Sequence, residues 1–313
     1  MRFIGRKKEL ELLRHCGKKK GAQLVVIRGR RRIGKSRLAE EFGKKFSHTL
    51  FFSGLAPQKK VTSQMQRDDF ASQLSDLLDV PPPKCTDWGE LFRYLVRFIT
   101  DEKTLLVFDE ITWMGGKDPT FLGKLKTTWD MHFKKKSNLF IILSGSISSW
   151  IEKNILSSSG FLGRISLDLV LNPLPLSDCN QFWNDQEDRI SCFDKFKVLS
   201  VTGGIPRYLE EIIPTQSAEE NIRHLCFQSG GLLFREFENI FSDLFSTRSE
   251  TYKKIVHQLV QGPKTVSEIC TSLNIEKTGV MSHYLEDLIT ALEGFHVEHQ
   301  NRKNFKNCLP LPL

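Results

Sequence analysis

An apolar run leads directly into a glycine-rich basic loop near the start of this chain, in the stretch VVIRGRRRIGKSRLAEEF over residues 25–42. The stretch contains the pattern G-x-x-x-x-G-K-[ST] in full, with a strand pattern before it and a helix pattern after it, as the motif requires. Glycines let backbone N–H groups curl around phosphate oxygens, and the first turn of the next helix offers free N–H groups to an anion. This phosphate-binding loop predicts a parallel sheet covered by helices, whereas a basic turn that fits by chance is the weaker alternative.

The loop also predicts what individual residues do. We expect Lys35 to reach the β and γ phosphates of ATP as a compact cation, and Ser36 to give its hydroxyl to Mg²⁺. Arg30, Arg31 and Arg32 occupy the variable positions of the motif, where side chains generally point away from the phosphates. The predicted nucleotide-binding residues of the loop and its flank are Gly29, Arg30, Arg31, Arg32, Ile33, Gly34, Lys35, Ser36 and Arg37.

Short apolar segments alternate with helical patterns along the first half of the chain. Continuous apolar runs such as LLVF and LFIIL are typical of strands buried on both faces of a parallel sheet. The fold class is therefore α/β, with the three-layer parallel sheet of the P-loop NTPases. The predicted strands are Leu24–Arg28, Thr49–Ser53, Thr104–Asp109, Leu139–Ser144 and Ile165–Leu171. The predicted helices are Lys7–Cys16, Ser36–Phe46, Phe70–Leu78, Trp88–Ile99 and Phe121–Phe133.

Two acidic residues at the end of one predicted strand offer the carboxylates that phosphoryl transfer to water needs. In TLLVFDE we expect Asp109 to hold Mg²⁺ and Glu110 to polarise the attacking water. Ser144 ends another strand at the same edge, and it either senses the γ-phosphate or belongs to a Ser/Gly turn. Arg164 and Arg207 are candidates for an arginine finger or sensor, or else they are solvated surface residues.

Changes of pattern divide the chain into four predicted parts. Residues 1–175 form the P-loop ATPase domain. Residues 176–248 contain helical patterns interrupted by TGGIPRYL and QSGGLL, which predicts a small helical lid. Residues 249–299 contain three helical stripes and a candidate β wing, GFHVEH, a combination typical of a winged helix. Residues 300–313 have no periodicity and are predicted to be an unstructured tail.

The net charge of +8 is concentrated near the N-terminus, because residues 1–60 hold 18 Lys and Arg against 4 Asp and Glu. Such a surface indicates a nucleic acid or phosphate partner, or it is simply solvated. We expect the loop arginines and Lys18–Lys20 to form one basic face if DNA is bound there, with a salt-dependent affinity. Residues 265–297 hold five acids and one lysine, so a protein is at least as good a partner for the winged helix as DNA.

Composition excludes several protein classes. The seven cysteines are scattered singly, with no C-x-x-C pair and no histidine at metal-ligand spacing, so we expect reduced thiols and no structural metal. No apolar run reaches the ~20 residues that span a bilayer, and the N-terminus lacks a signal-peptide core. We therefore expect a soluble cytoplasmic protein without a membrane partner.

The motifs together resemble the archaeal-type ATPases of the AAA+ and STAND P-loop NTPases. The matching segments are FIGRKKELELL, VIRGRRRIGKSRLAEEF, LLVFDEI, IILSGSISSW, the GR before LNPLPL, and VTGGIPRYLEEI, over about residues 1–245. The resemblance implies that Phe3, Ile4, Gly5, Arg6 and Pro206 border the adenine, with ATP between the sheet domain and the lid. Members commonly continue with a winged helix and often with a nuclease-like domain. No such domain follows here, and the alternatives are a shorter protein and a truncated gene product.

The predicted function is an ATPase that binds ATP with Mg²⁺ and uses hydrolysis as a conformational switch, coupled to DNA or a protein through the winged helix, with oligomerisation left open. One alternative is a transcription or defence regulator that binds ATP with little turnover. Another is a P-loop kinase, which is less favoured because Asp109 and Glu110 suit the activation of water and no arginine-bearing kinase lid is identified close after the sheet.

Overall fold

Five parallel strands form one sheet in the order β2-β3-β4-β1-β5. This computed structural model describes residues 2–56, 60–146, 148–186, 189–234, 236, 248–260, 262–275 and 279–293. The α/β class and the parallel sheet are confirmed, and each predicted strand is present. The strands are β1 Gln23–Gly29, β2 His48–Ser53, β3 Thr104–Asp109, β4 Leu139–Gly145 and β5 Leu167–Leu171.

The central strands are buried on both faces, which is why their sequences are continuously apolar rather than alternating. Every residue of β3 and β4 is buried, whereas the edge strand β5 alternates and exposes Asp168 and Val170. The predicted bounds of β3 are correct, and those of the other strands differ by one or two residues at their ends.

Helices cover both faces of the sheet and complete the three layers. On one face, Phe140 of β4 packs against Phe42 and Phe46 in and after the helix that follows the phosphate-binding loop. On the other face, Ile141 and its neighbours join a core with the helices between β2 and β4. These helices are α1 Lys7–Cys16, α2 Lys35–Gly43, α3 Ser63–Leu78, α4 Trp88–Val96, α5 Ile111–Gly115 and α6 Phe121–Met131, followed by α7 Ser148–Ile151.

Four α-helices are described between the sheet and residue 232, and residues 176–232 are called the lid below. They share a small core with Leu174, which precedes them, and with Trp183 and Leu209 within them. Gly204 lies so close to Leu174 that a Cβ there would come within 2.3 Å of the Leu174 carbonyl oxygen, and Leu174 N donates to Gly204 O. The NPLPL segment therefore anchors the lid to the sheet. The helices are α8 Leu176–Cys179, α9 Cys192–Thr202, α10 Pro206–Leu209 and α11 Ala218–Phe227.

The chain divides into two compact units, Met1–Leu232 and Leu233–Leu313. The second unit contains α12 Ser249–Val260, α13 Val266–Leu273 and α14 Gly279–Glu293, in agreement with the three predicted helical stripes. Tyr252, Ile269 and Leu285 belong to the core that these helices share. The candidate β wing at 294–299 and the tail at 300–313 lie outside the described residues. The winged helix and the four domain boundaries therefore stay predictions.

The described part of the chain has neither a helix suited to span a membrane nor a cluster of metal-ligating side chains. No helix there has the length and apolar character that a bilayer crossing requires. The same residues contain no group of three or more His, Cys, Asp and Glu placed to hold a metal ion, and the cysteines described are free thiols.

The two edges of the sheet carry different basic residues. Because all five strands are parallel, they begin at one edge, called the amino edge, and end at the other, called the carboxyl edge. Lys18–Lys20 precede the seven-residue β1, whereas Arg30–Arg32 follow it. At about 3.3 Å per residue, the strand separates the two groups by ~20 Å. The prediction that they form one basic face is therefore wrong.

Candidate nucleotide-binding and catalytic site

The phosphate-binding loop joins β1 to α2 at the carboxyl edge of the sheet. Gly29 (φ 151°) and Gly34 (φ 95°) both adopt conformations that favour glycine. A Cβ at Gly29 would lie 2.6 Å from the carbonyl oxygen of Leu171, the residue beside it in β5. Gly34 is the N-cap residue of α2, so the free N–H groups of this helix begin at the end of the loop. Both glycines of the motif are thus required by local geometry.

Lys35 lies beneath the loop with its side chain almost completely buried. Its Nζ donates to Gly29 O at 3.1 Å, to Arg30 O at 3.2 Å and to Ser146 Oγ at 2.9 Å. Burial lowers the pKa of Lys35, whereas the carboxylates of Glu110 and Asp109 act in the opposite direction. The ammonium group is therefore held inside the curve of the loop, beside the two acids of the TLLVFDE motif.

Asp109, the last residue of β3, accepts hydrogen bonds from two serines. Ser36 Oγ donates to its Oδ2 at 2.7 Å, and Ser144 Oγ donates to its Oδ1. Asp109 is 7% exposed and Ser144 is completely buried. The two predicted Mg²⁺ residues, Ser36 and Asp109, are therefore in direct contact. Their hard oxygen donors fit Mg²⁺, which needs few protein ligands because it retains waters and binds phosphate oxygens.

Glu110 follows Asp109 in a left-handed backbone conformation, with φ 50° and ψ 48°. For a residue with a side chain this conformation costs roughly 1–2 kcal/mol, and such strain is concentrated at functional sites. The Glu110 carboxylate accepts hydrogen bonds from Ser146 N at 3.2 Å and from Ser146 Oγ at 2.6 Å. Because Lys35 donates to the same hydroxyl, a chain of hydrogen bonds runs from Lys35 through Ser146 to Glu110.

Ser146 is the residue that contacts both Lys35 and Glu110, and the sequence pattern did not select it. The pattern selected Ser144, which the structure places inside β4 against Asp109. Strand β4 ends at Gly145, so Ser146 is the first side chain beyond the strand. In parallel sheets ligands bind just outside the carboxyl ends of the strands, which is the signal that could have identified it. The structure therefore places Ser146, and not Ser144, beside Lys35 and Glu110.

The N-terminal segment Phe3–Arg6 packs against the loop and the lid. Arg6 is 4% exposed, and its Nη2 donates to the Ile33 carbonyl at 3.0 Å while Nη1 pairs with Glu9 at 2.9 Å. A Cβ at Gly5, whose φ is 72°, would lie 2.7 Å from Asp178 Oδ2. Phe3, Ile4 and Gly5 are partly exposed. This segment therefore borders the loop, as the predicted adenine contacts require.

Two loop arginines contact the lid. The Cζ atoms of Arg30 and Arg32 lie 5.9 Å and 5.8 Å from the ring centroid of Tyr208 in α10, within the range of a cation–π interaction. Pro206, the first residue of the same helix, has its Cγ 3.9 Å from the position that a Cβ of Gly34 would occupy. The arginines of the variable motif positions thus connect the loop to the lid.

Three further arginines of the predicted set lie away from the centre of the loop. Arg37 is on the surface of α2 beside Glu40 at 3.7 Å. Arg207 of α10 pairs with Glu211 at 2.6 Å. Arg164 precedes β5, so it lies at the amino edge, where its Nε and Nη2 each donate to Asp130 at 2.9 Å.

The position of Arg164 contradicts its predicted catalytic role at the phosphate-binding loop of its own chain. Strand β5 runs for five residues from Arg164's edge to Leu171 beside Gly29. That length corresponds to ~17 Å, which is longer than an arginine side chain. Arg164 therefore does not reach its own phosphate-binding loop.

Comparisons with known proteins add a family and a fold. The model of a family described as an ATPase domain predominantly from Archaea matches residues 3–212. The uncharacterized protein MJECL04 of Methanocaldococcus jannaschii is 26% identical over 293 residues, which are 92% of this chain and 60% of that protein. The chain therefore spans less than two thirds of that curated relative.

Solved structures are similar at lower identity. The Walker-type ATPase PABY2304 of Pyrococcus abyssi has a TM-score of 0.61 and 18% identity, and the match covers 93% of this chain and 89% of that one. Cdc6p from Pyrobaculum aerophilum has a TM-score of 0.47 and 14% identity, covering 96% and 89%. The first of these likenesses supports the fold alone.

Proposed function

This chain belongs to the family of ATPases found predominantly in Archaea and is a P-loop ATPase, and from that premise we propose that it hydrolyses ATP with Mg²⁺ as a conformational switch. The observation that carries the proposal is the chain of hydrogen bonds from Lys35 through Ser146 to Glu110. It lies beside the Ser36–Asp109 pair, so groups suited to phosphate, metal and water meet at one edge of the sheet.

The loop and its neighbours bind the nucleotide in this proposal. Backbone N–H groups of residues 29–36 hold the β and γ phosphates, and the Lys35 ammonium exchanges its carbonyl partners for phosphate oxygens. The burial that lowers the pKa of Lys35 also excludes water, which strengthens each electrostatic contact there. Phe3–Arg6 and Pro206 border the adenine in this proposal, because both segments contact the loop.

Ser36 and Asp109 hold Mg²⁺ in the proposed site. The ion supplies positive charge that compensates the charge developing on the phosphate oxygens during transfer. Ser36 would offer its hydroxyl oxygen and Asp109 its carboxylate to the ion, the kind of oxygen donors that Mg²⁺ prefers. Ser144 keeps the Asp109 carboxylate oriented through its buried hydrogen bond.

Glu110 is the base that orients the attacking water. Its carboxylate has two fixed donors, both from Ser146, which leave lone pairs for a water proton. Ser146 Oγ accepts a hydrogen bond from Lys35 and donates one to Glu110. A phosphate that draws the Lys35 ammonium away therefore also changes the hydrogen bond from Ser146 to Glu110. The geometry therefore couples recognition of the γ-phosphate to the orientation of the base.

The lid responds to the loop through Tyr208 in the proposed switch. Arg30 and Arg32 contact this ring. An ATP molecule that reorganises the loop backbone therefore also moves the backbone atoms that carry these two side chains. Each cation–π contact contributes about 0.5–2 kcal/mol, which suffices to change lid populations several-fold. Hydrolysis removes the γ-phosphate and relaxes the loop, which completes the cycle.

We predict that substitution of Tyr208 by Leu uncouples the lid from the nucleotide. In the unchanged protein, amide hydrogen exchange in residues 203–212 is expected to be slower with Mg²⁺ and a non-hydrolysable ATP analogue than with ADP. In Tyr208→Leu this difference is expected to shrink by at least about fivefold, which corresponds to ~1 kcal/mol. Exchange measured by mass spectrometry on the full chain checks it.

Tyr94→Leu is the matched control for this measurement. Tyr94 also has an arginine over its ring, with Arg97 Cζ 5.8 Å from the centroid, but it belongs to α4 and packs against the core of the helices between β2 and β4. An equal loss in both variants, or an undiminished difference in Tyr208→Leu, would contradict the switch.

The output of the switch is proposed to pass to DNA or to a protein through the C-terminal unit. The acidic sequence of residues 265–297 favours a protein there. A regulator with little turnover is the second candidate function. It is favoured by the hydrogen bonds that already join Lys35, Ser146 and Glu110, because the attacking water must find a place beside this chain before hydrolysis.

A further inference from the structure

Exposed lysines converge at the amino edge of the sheet, on the side opposite the nucleotide site. Parallel strands begin side by side, so the segments that precede β1, β2, β3 and β4 become neighbours there. Each of these four segments contributes at least one exposed lysine. This cluster is called the basic edge and consists of Lys18, Lys19, Lys20, Lys44, Lys45, Lys103, Lys134 and Lys135.

Backbone hydrogen bonds hold the segments of the basic edge in place. Ser47 N and His48 N both donate to Lys103 O, at 3.0 Å and 3.2 Å. Thr104 N donates to Asn138 O at 3.1 Å, and Asn138 Nδ2 donates to Asp101 O at 2.6 Å. The segment before β3 is therefore bound on one side to the segment before β2 and on the other to the segment before β4.

An aromatic cluster fixes the remaining segment beside them. Phe140 at the start of β4 packs edge-on against Phe46, with centroids 6.0 Å apart. A Cβ at Gly17 would lie 3.7 Å from the same Phe140 ring. Lys18 and Lys45 are the chain neighbours of Gly17 and Phe46, so one ring supports the lysines of two segments. The basic edge is therefore a preorganised surface, although each lysine side chain is exposed.

Acidic residues compensate only part of this charge. In the four segments the carboxylates are Asp101 and Glu102, and Glu102 lies 3.1 Å from His48. Lys44 pairs with Glu41 at 2.6 Å. Among the described residues, no carboxylate forms an ion pair with Lys18, Lys19, Lys20, Lys45, Lys103, Lys134 or Lys135.

The positive charge of the basic edge and the length of its row of lysines indicate which partner it binds. Four neighbouring strands span ~14 Å at about 4.8 Å per step, and duplex DNA carries one negative charge per ~1.7 Å of its axis. Single strands are bound by exposed aromatic rings on which bases stack, but the exposed aromatic residues described, Phe193, Phe196, Phe227 and Phe234, all lie outside these segments. We propose that the basic edge binds the phosphate backbone of duplex DNA, without reading its sequence.

This surface places DNA contacts on the ATPase domain, whatever the C-terminal unit binds. Helix α2 begins at the phosphate-binding loop and ends immediately before Lys44 and Lys45, so one rigid element connects the two sites. DNA binding does not require nucleotide turnover. Its failure in an experiment is therefore distinguishable from failure of the ATPase proposal.

Salt dependence of DNA binding tests the proposal. Fluorescence anisotropy measures the binding of a labelled 20-base-pair duplex to the full chain from 50 to 200 mM KCl. The affinity is expected to fall roughly 10³-fold over this range. The reason is that log affinity falls against log salt concentration with a slope near −0.9 for each phosphate contact, and about five to seven contacts are expected. Lys134→Gln with Lys135→Gln is expected to reduce the slope by ~1.8. Lys18→Gln, Lys19→Gln and Lys20→Gln together are expected to reduce it by ~2.7.

Lys84→Gln with Lys254→Gln is the matched control. Both lysines are exposed, and neither lies in the four segments. Lys84 precedes Cys85, whose carbonyl oxygen accepts a hydrogen bond from Gln64 at the start of α3. The control is expected to keep the slope of the unchanged protein, and thermal unfolding verifies that each variant is folded. Absence of duplex binding, a salt-independent affinity, or an equal slope change in edge and control variants would overturn the proposal. Tighter binding of single-stranded DNA or RNA, or binding to phosphatidylserine vesicles in place of duplex, would also overturn it.

Discussion

Replacement of Glu110 by Gln is expected to lower the turnover number for ATP by about 10²–10⁴-fold, the usual contribution of a positioned general base. Gln has nearly the same shape, and its amide oxygen can still accept one of the two hydrogen bonds that Ser146 donates to Glu110. An amide cannot take a proton from the attacking water. The affinity for ATP is expected to change by less than ~threefold, because binding depends on the loop and on Lys35.

Phosphate release at saturating Mg²⁺-ATP, together with the dissociation constant of a fluorescent ATP analogue, measures both effects. Glu90→Gln is a suitable control, since Glu90 is exposed near the start of α4, away from the loop. Equal phosphate release by Glu110→Gln and the unchanged protein would show that Glu110 does no chemistry. It would favour a regulator whose function depends on binding alone.

Substitution of Lys35 by Ala is expected to weaken ATP binding by at least ~100-fold. The ammonium group is expected to make charge-assisted hydrogen bonds to the β and γ phosphates, and each contributes about 1.5–3 kcal/mol. The Nζ of Lys35 lies inside the curve of the loop, where it donates to Gly29 O, Arg30 O and Ser146 Oγ, so alanine leaves this position without its ammonium group. Isothermal titration calorimetry with ATP and Mg²⁺ measures the change.

Stability separates this effect from unfolding. Removal of a buried ammonium relieves its desolvation, which offsets the loss of its hydrogen bonds to two loop carbonyls. The melting temperature without nucleotide is therefore expected to stay within ~4 °C of that of the unchanged protein, or about 1–2 kcal/mol. Lys84→Ala, at an exposed position, is the control. Retained ATP affinity in folded Lys35→Ala would refute the assignment of the loop.

Local patterns predicted the centre of the site well. The motif from Gly29 to Ser36 is contiguous, and the apolar runs before it and before Asp109 are buried on both faces, so sequence spacing alone brings them to one edge. The contact between Ser36 and Asp109 follows from this arrangement. Contiguous motifs and buried parallel strands are therefore the features that a single sequence reveals most directly.

Long-range contacts could not be predicted from the same patterns. Whether Ser144 or Ser146 meets Glu110 depends on where β4 ends, and one residue decides it. The contact of Arg30 and Arg32 with Tyr208 joins residues that are far apart in sequence, and nothing in the spacing indicates it. Lys18–Lys20 were grouped with the loop arginines because they are close in the chain, but one strand carries the two groups to opposite edges.

Release of ADP and phosphate by the purified full chain, with Mg²⁺-ATP and no phosphoryl acceptor, tests the ATPase mechanism most directly. The arrangement of Lys35, Ser146 and Glu110 beside Ser36 and Asp109 predicts steady release of both products, its loss when EDTA removes Mg²⁺, and its loss in Glu110→Gln. Turnover that appears only when an acceptor is added, or release that continues unchanged in EDTA, would contradict it.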